Sequence, residues 1–289
     1  MKKTLTTLAI ASAAVLSTNA FAETPLTIKV YNAPATSFNV NSTLIMGEKD
    51  AVLLDTGFTR SDAYKIAANV LDSGKNLKTI FISQADPDYY FGAEVLHEIF
   101  PNAQIVSSKA VLEEIKHKVD GKVAFWSPQM GANAPRKPFL PTLMSGNTLT
   151  LEGKTIEVRG TTGTLANRPF VWIPSIKTIA GDVNTYAGMH VWTADSATPA
   201  LRSAWVKRLD EMKALKPVAF VPGHMVEGSA LSPAVIDYTR QYLVTFDKNL
   251  AKSKNSADLI KAMSAAYPNA AAKDNLELGA KVATGEMKW

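Results

Sequence analysis

Four short polar segments carry the side chains that could do chemistry. They are Asp55-Thr56-Gly57, the run Ser83-Gln84-Ala85-Asp86-Pro87-Asp88-Tyr89-Tyr90-Phe91-Gly92, the single Asp182, and Val221-Pro222-Gly223-His224. Asp86 and Asp88 flank Pro87, so two carboxylates leave one tight turn. With Asp182 and an imidazole brought beside them, they could hold a divalent cation or share a proton for general-base work. Taken singly, each segment reads equally well as a solvated turn. Their positions change that reading, because each follows a stretch patterned as a strand, and α/β sites gather at strand ends.

The elements that must position these groups are legible as periodicities. Residues 26–31 alternate, and 42–46 face 51–55 across Gly47-Glu48-Lys49-Asp50, a hairpin with a four-residue connection. Ser61 is placed as the cap of a helix carrying Tyr64, Ala67, Ala68 and Leu71 at helical spacing, and Gly74 ends it. A buried strand over 79–82, a helix over 91–100, a strand over 103–106 and a helix over 108–118 follow. Residues 120–146, with four Pro and three Gly, are expected to form a long loop with at most one helical turn, of the kind that covers a binding site. A second hairpin joins 148–151 to 154–158. It is followed by strands at 170–173 and 178–180, a helix over 199–215, a strand at 217–221, and a long helix opened by Ser232-Pro233. The tail from Ser256 is helical in two pieces split by Pro268. The fold class is α/β, with two similar half-domains packed sheet against sheet.

In their order and spacing the four segments resemble the metallo-β-lactamase superfamily over essentially the whole chain after its first residues. The resemblance implies a four-layer αββα sandwich. In that family the second segment reads His-x-His-x-Asp-His; here it is Gln84-x-Asp86-x-Asp88-Tyr89. The family's middle histidine falls near Gly160-Thr161-Thr162-Gly163, leaving Thr161 or Thr162 in its place, while Asp182 and His224 keep the family residue. The resemblance therefore implies that the three-imidazole site is lost, since amide, carboxylate and hydroxyl oxygens are poor substitutes for imidazole at zinc. One divalent ion, zinc, manganese or iron, remains conceivable on Asp88, Asp182 and His224, with Asp86, Tyr89 and Gln84 as further donors. That expectation requires the first three to share one pocket. Asp55 would support the loop by hydrogen bonds, and Thr161 and His190 would line or support the pocket, although His190 reads more readily as a structural histidine than as a ligand.

Two functions follow. The first is a metal-dependent hydrolase of a small-molecule ester, lactone or amide bond with an altered, oxygen-rich metal site or, should no metal bind, with Asp88 or Asp86 as general base. The second is a non-catalytic binding protein that kept the fold and lost the metal. Residues 1–22 read as a secretory signal, with Lys2-Lys3, an apolar run over 5–16 and Ala20-Phe21-Ala22 at the cleavage site, which places the remaining 23–289, one domain, in the periplasm. The apolar run is too short to span a bilayer. The formal charge of +5, two units of it in those lysines, comes without a block of basic residues, so neither nucleic acid nor an acidic membrane is expected as a partner; a small-molecule substrate is. With no cysteine in the chain, neither disulfides nor thiolate zinc sites can stabilise it.

Overall fold

Side-chain alternation along the strands sorts the chain into layers. The computed structural model describes residues 24–289; the expected signal segment lies outside them. The first half runs β1 (Thr27–Asn32), β2 (Asn41–Met46), β3 (Asp50–Leu54), α1 (Arg60–Ser73), β4 (Asn76–Ile82), α2 (Pro87–Tyr90), α3 (Ala93–Ile99), β5 (Gln104–Ser107), α4 (Lys109–Met130) and β6 (Thr142–Leu143). The second runs β7 (Thr148–Leu151), β8 (Lys154–Arg159), β9 (Phe170–Ile173), β10 (Thr178–Ala180), β11 (Tyr186–Ala187), α5 (Pro199–Ala214), β12 (Ala219–Phe220), β13 (His224–Met225), α6 (Ala234–Leu250), α7 (Ser256–Ala266) and α8 (Lys273–Ala283). Strands β1 to β6 form one sheet in chain order, and a second sheet has the order β12-β10-β9-β8-β7.

In β4, Ile80 and Ile82 pack under α1, α3 and α4, while Phe81 between them points to the opposite face. There it meets Ile156, Val171 and Ile173 of the second sheet, forming the core between the sheets. In β9, Phe170 and Trp172 point away from that core, toward α5, α6, α7 and α8. The period of two thus gives each sheet two apolar faces, and each fully buried large side chain contributes about 1.5–3 kcal/mol. The result is the expected four-layer αββα sandwich.

Three elements differ from the sequence expectation. Helix α4 does not stop near 118 but continues through Gly121 and Pro128, so most of the expected loop is helical. Ile115, Val119, Val123, Trp126 and Met130 recur at spacings of three or four and pack on the same core, which outweighs the two helix breakers. Gly121 and Pro128 both lie on the exposed side. Helix α1 is capped by Thr59, not Ser61, through a reciprocal box with Asp62. A small parallel pair of β11 and β13, setting Tyr186 opposite His224, has no counterpart in the expected elements. His97, whose helical surroundings suggest a surface residue, is half-buried with its ring 4.2 Å from that of Phe139.

Candidate functional site

Four loops leave the strand ends side by side. Asp55 follows β3, the 83–92 loop follows β4, Asp182 follows β10, and the 221–224 segment follows β12. Parallel pairing of β3 with β4, and of β10 with β12, brings these ends to a common edge.

Asp55 is buried and held in the left-handed region at φ 62°, a strained position for a residue with a side chain. Its carboxylate accepts from the Ser83 amide at 2.7 Å and the Ser83 hydroxyl at 2.8 Å, tying the first two loops together. Next to it, the Thr56 amide and hydroxyl both donate to the Tyr89 carbonyl, at 2.8 and 3.0 Å, which fixes α2. Burial pushes the Asp55 carboxyl up to about 8, against the lowering effect of the Ser83 bonds, and the charges of Asp88 and Asp182 add to the rise.

His224 is the centre of the arrangement. Its Nδ1 lies 2.9 Å from the Phe38 carbonyl, which can only accept, so the ring hydrogen sits on Nδ1 and Nε2 presents a lone pair. The Tyr89 hydroxyl lies 3.1 Å from that Nε2 and 3.2 Å from the Asp182 carbonyl, so its single proton is shared between two acceptors. The Tyr186 ring stacks on the imidazole at 5.0 Å, and burial lowers the histidine to about 4, so it stays neutral. The nearest carboxylate oxygen, Asp88 Oδ2, is 3.8 Å from Nε2. Burial also pushes Asp86, Asp88 and Asp182 up to about 7.

The remaining expected donors point elsewhere. The Asp182 carboxylate accepts from the Asn184 amide and, at 3.1 Å, from the Thr185 hydroxyl. The Gln84 amide donates to the Pro169 carbonyl at 3.3 Å. Thr161 is half-buried in the loop after β8, with no side-chain hydrogen bond to the cluster among the described residues. His190 is not at the site: its Nδ1 is 2.9 Å from the Tyr242 hydroxyl of α6, among the helices behind the second sheet. Tyr89 is fully buried and burial holds its phenol well above the ordinary value, so it is a neutral donor and not a phenolate ligand. Sequence reasoning missed Phe38, Tyr186 and Arg168, none of which lies in a polar motif. Two open depressions elsewhere, one lined by Arg60, Tyr64 and Lys65 and one by His97, Phe139 and Leu149, contain none of these groups.

With this geometry in view, the profile of the metallo-beta-lactamase superfamily matches residues 35–224, spanning all four loops. The chain belongs to that superfamily. A comparison with curated proteins finds no match. Among solved structures the chain is similar to a metallo-beta-lactamase family protein from Thermus thermophilus, at 14% identity and TM-score 0.59, covering 90% of this chain and 91% of that one. It is also similar to the metallo-beta-lactamases from Pontibacter korlensis (17% identity, TM-score 0.53, 77% of this chain and 96% of that one) and Hirschia baltica (15%, 0.51, 75% and 92%). At such identities these likenesses establish the fold alone.

Members of the superfamily generally bind divalent metals, so the fit of this donor set matters. It does not fit. Among the described residues no three His, Asp or Glu side chains come together to hold an ion, and the expected Asp88, Asp182 and His224 set is not assembled. The imidazole nitrogen that would ligate is taken by the Tyr89 hydroxyl, and Asp182 is turned to its own loop. Zinc, manganese and iron are thus not supported by the geometry on which the expectation depended.

The same buried carboxylates set how stability varies with pH. A carboxyl whose folded value lies above its unfolded one near 3.8 holds its proton more tightly when folded, so its contribution is present at low pH and lost as pH rises through the folded value. His224, lowered to about 4, acts the other way between about 4 and 6.5. Four raised carboxyls outweigh one lowered imidazole, so the melting temperature is expected to fall between pH 5 and pH 8. The isosteric Asp55→Asn should flatten that fall, as calorimetry across the range would show; an equally steep fall in the variant would remove Asp55 from the explanation.

Proposed function

We propose that the chain is a metallo-β-lactamase-fold hydrolase acting on an ester, lactone or amide bond of a small molecule, with Asp88 as general base. The observation that carries the reading is the Asp88 carboxylate, 3.8 Å from a neutral imidazole, where four strand ends converge. Asp88 would take a proton from a water whose oxygen bonds to the carbonyl carbon and return it to the departing alcohol or amine as the C–O or C–N bond breaks, while Asp86, two residues away and the more exposed of the two, would share the charge. No step is assigned to a metal. The test is turnover of nitrophenyl esters, homoserine lactones and nitrocefin by the wild type and Asp88→Asn. A loss of about 100-fold or more is expected, the usual share of a general base, with the melting curve retained. Equal rates in the two proteins would end the assignment.

A second reading, a binding protein that kept the scaffold and lost the chemistry, is favoured by the Tyr89 to His224 hydrogen bond, which ties up the nitrogen the family uses at its metal. Absence of turnover on all three substrate classes would select it. We place the mature protein in the periplasm on the strength of Lys2-Lys3, the apolar run and Ala20-Phe21-Ala22. N-terminal sequencing of the exported protein should begin at Glu23.

A further inference from the structure

Ser61 is patterned as the cap of α1, but Thr59 takes that place, and among the described residues the Ser61 hydroxyl makes no hydrogen bond. It lines a cavity of about 430 Å³, together with Arg60, Tyr64 and Lys65 of the same helix and Asn133 from the turn after α4. The cavity lies on the solvent side of α1, where Tyr64, Lys65 and Ala68 are exposed; the opposite side, with Ile66, Ala67 and Val70, is buried against the first sheet. None of the lining residues belongs to the four strand-end loops. Its volume falls within the roughly 300–1,000 Å³ of small-molecule sites.

The lining carries two cations and no carboxylate. Arg60 is the fixed member, only 7% exposed, with Nη2 donating to the Tyr64 hydroxyl at 3.0 Å and the guanidinium 5.7 Å from the centre of the Tyr64 ring. Because the Tyr64 oxygen accepts that bond, its own hydrogen is free to be donated outward. Asn133 is spent in the same sense: Oδ1 accepts from the Ser61 amide at 3.2 Å, which leaves the hydrogens of Nδ2. The Lys65 ammonium has no ion pair among the described residues. Four side chains thus present unspent donors to one space. The acids of this region are engaged elsewhere. Glu94 Oε2, 3.5 Å from Arg60 Nη1, also accepts from the Arg136 amide at 2.7 Å, and the buried Asp62 accepts from Tyr31, Ser37 and Thr59. Arg60 and Lys65 stand in the first two turns of α1, where the helix's own field is already positive, so the local charge calls for an anion.

We propose that this cavity is a second binding site, separate from the strand ends, for the phosphate group of a small molecule. Arg60 and Lys65 supply the charge, and Ser61, Tyr64 and Asn133 supply hydrogen bonds. Ala68 and Ala132, the remaining lining residues, are small enough to leave room for the organic body that carries the group. Phosphate is favoured over carboxylate because a monoester offers three terminal oxygens to donors converging from several side chains, and a charge of about −1.5 to −2 to two cations.

Binding can be read by saturation-transfer NMR on the purified chain at ionic strength held constant with chloride. The probe is phenyl phosphate and its uncharged counterpart is benzyl alcohol; inorganic phosphate and acetate are the competitors. Phenyl phosphate is expected to saturate with a Kd of about 1 mM or tighter. Benzyl alcohol should bind at least about 10-fold more weakly, and displacement by acetate should need about 5-fold more competitor than displacement by phosphate. Lys65→Met and Tyr64→Phe alter exposed side chains, so both variants keep the melting curve, and each should weaken phenyl phosphate by about 3-fold or more, the double variant by about 10-fold or more. Equal binding of phenyl phosphate and benzyl alcohol, no saturation by about 10 mM, or undiminished binding in the double variant overturns the site. Displacement by acetate at lower concentration than by phosphate overturns the choice of phosphate.

Discussion

Replacing Tyr89 by histidine is expected to create a site for about one equivalent of zinc, with the three protein ligands of an open site. The argument rests on one nitrogen. His224 Nε2 carries a lone pair because Nδ1 donates to the Phe38 carbonyl, and the Tyr89 hydroxyl, 3.1 Å away and also bonded to the Asp182 carbonyl, occupies the place an ion would take. Imidazole is shorter than phenol, so Tyr89→His withdraws the hydroxyl and leaves a gap facing Nε2. Zinc at about 2.0–2.1 Å from each ring nitrogen would fill such a gap. Asp88 Oδ2, 3.8 Å from Nε2, is close enough to become the third ligand. Elemental analysis after dialysis against micromolar zinc should find about one equivalent in the variant and under about a tenth in the wild type, and adding His224→Ala to the variant should abolish the gain. A thermal shift upon zinc addition, present in the variant alone, is the companion readout. Stoichiometric zinc in the wild type would mean that the phenol does not block the site.

The second large effect concerns two glycines that let the loops touch. A Cβ on Gly223 would lie 2.2 Å from the Asp182 carbonyl and 2.8 Å from the Tyr89 hydroxyl. A Cβ on Gly92 would lie 2.0 Å from the Thr56 carbonyl and 2.9 Å from the Ala63 side chain. Backbone oxygens cannot step aside as a flexible side chain can, so a methyl group at either position must push one strand-end loop off another. Each alanine variant is expected to cost about 3 kcal/mol, the upper end of overpacking, which for a chain of this size lowers the melting temperature by about 6–12 °C. Gly74→Ala is the control, because the space around Gly74 is open and only its φ of 65° resists the substitution. Melting temperatures of Gly92→Ala and Gly223→Ala no lower than that of Gly74→Ala would show that the loops are less tightly apposed than the geometry requires.

Most of the fold is legible in the sequence because its layers depend on short-range periodicity. Residues 42–46 and 51–55 pair much as their alternation suggests, and α5, α6, α7 and α8 begin and end near the capping and proline signals. Helix α4 is harder to read, because Gly121 and Pro128 argue locally against a helix that the apolar spacing of Val119, Val123, Trp126 and Met130 sustains, a case of packing overriding propensity. The capping signal Thr59-Arg60-Ser61-Asp62 is present in the sequence, but Ser61 inside it competes with Thr59 for the cap position. For the site, the sequence located the four loops, and His190, read more readily as a structural histidine than as a ligand, sits under α6 and α8 in a place that no local pattern announces.

What the chain's sequence decided by itself is where polar groups emerge. A strand buried on both faces must be apolar until it ends, so Asp55, Gln84, Asp182 and His224 mark strand ends wherever they fold. What only the tertiary structure decided is which of these groups meet. Tyr89 and His224 are 135 residues apart, and whether the phenol reaches the imidazole depends on how two sheets stack and how closely Gly223 lets their loops approach. The same packing turned Asp182 toward Thr185 and left the Arg168 guanidinium without a carboxylate partner. Such contacts depend on angstrom-scale offsets between distant segments, to which a residue pattern repeating every two or four positions is blind.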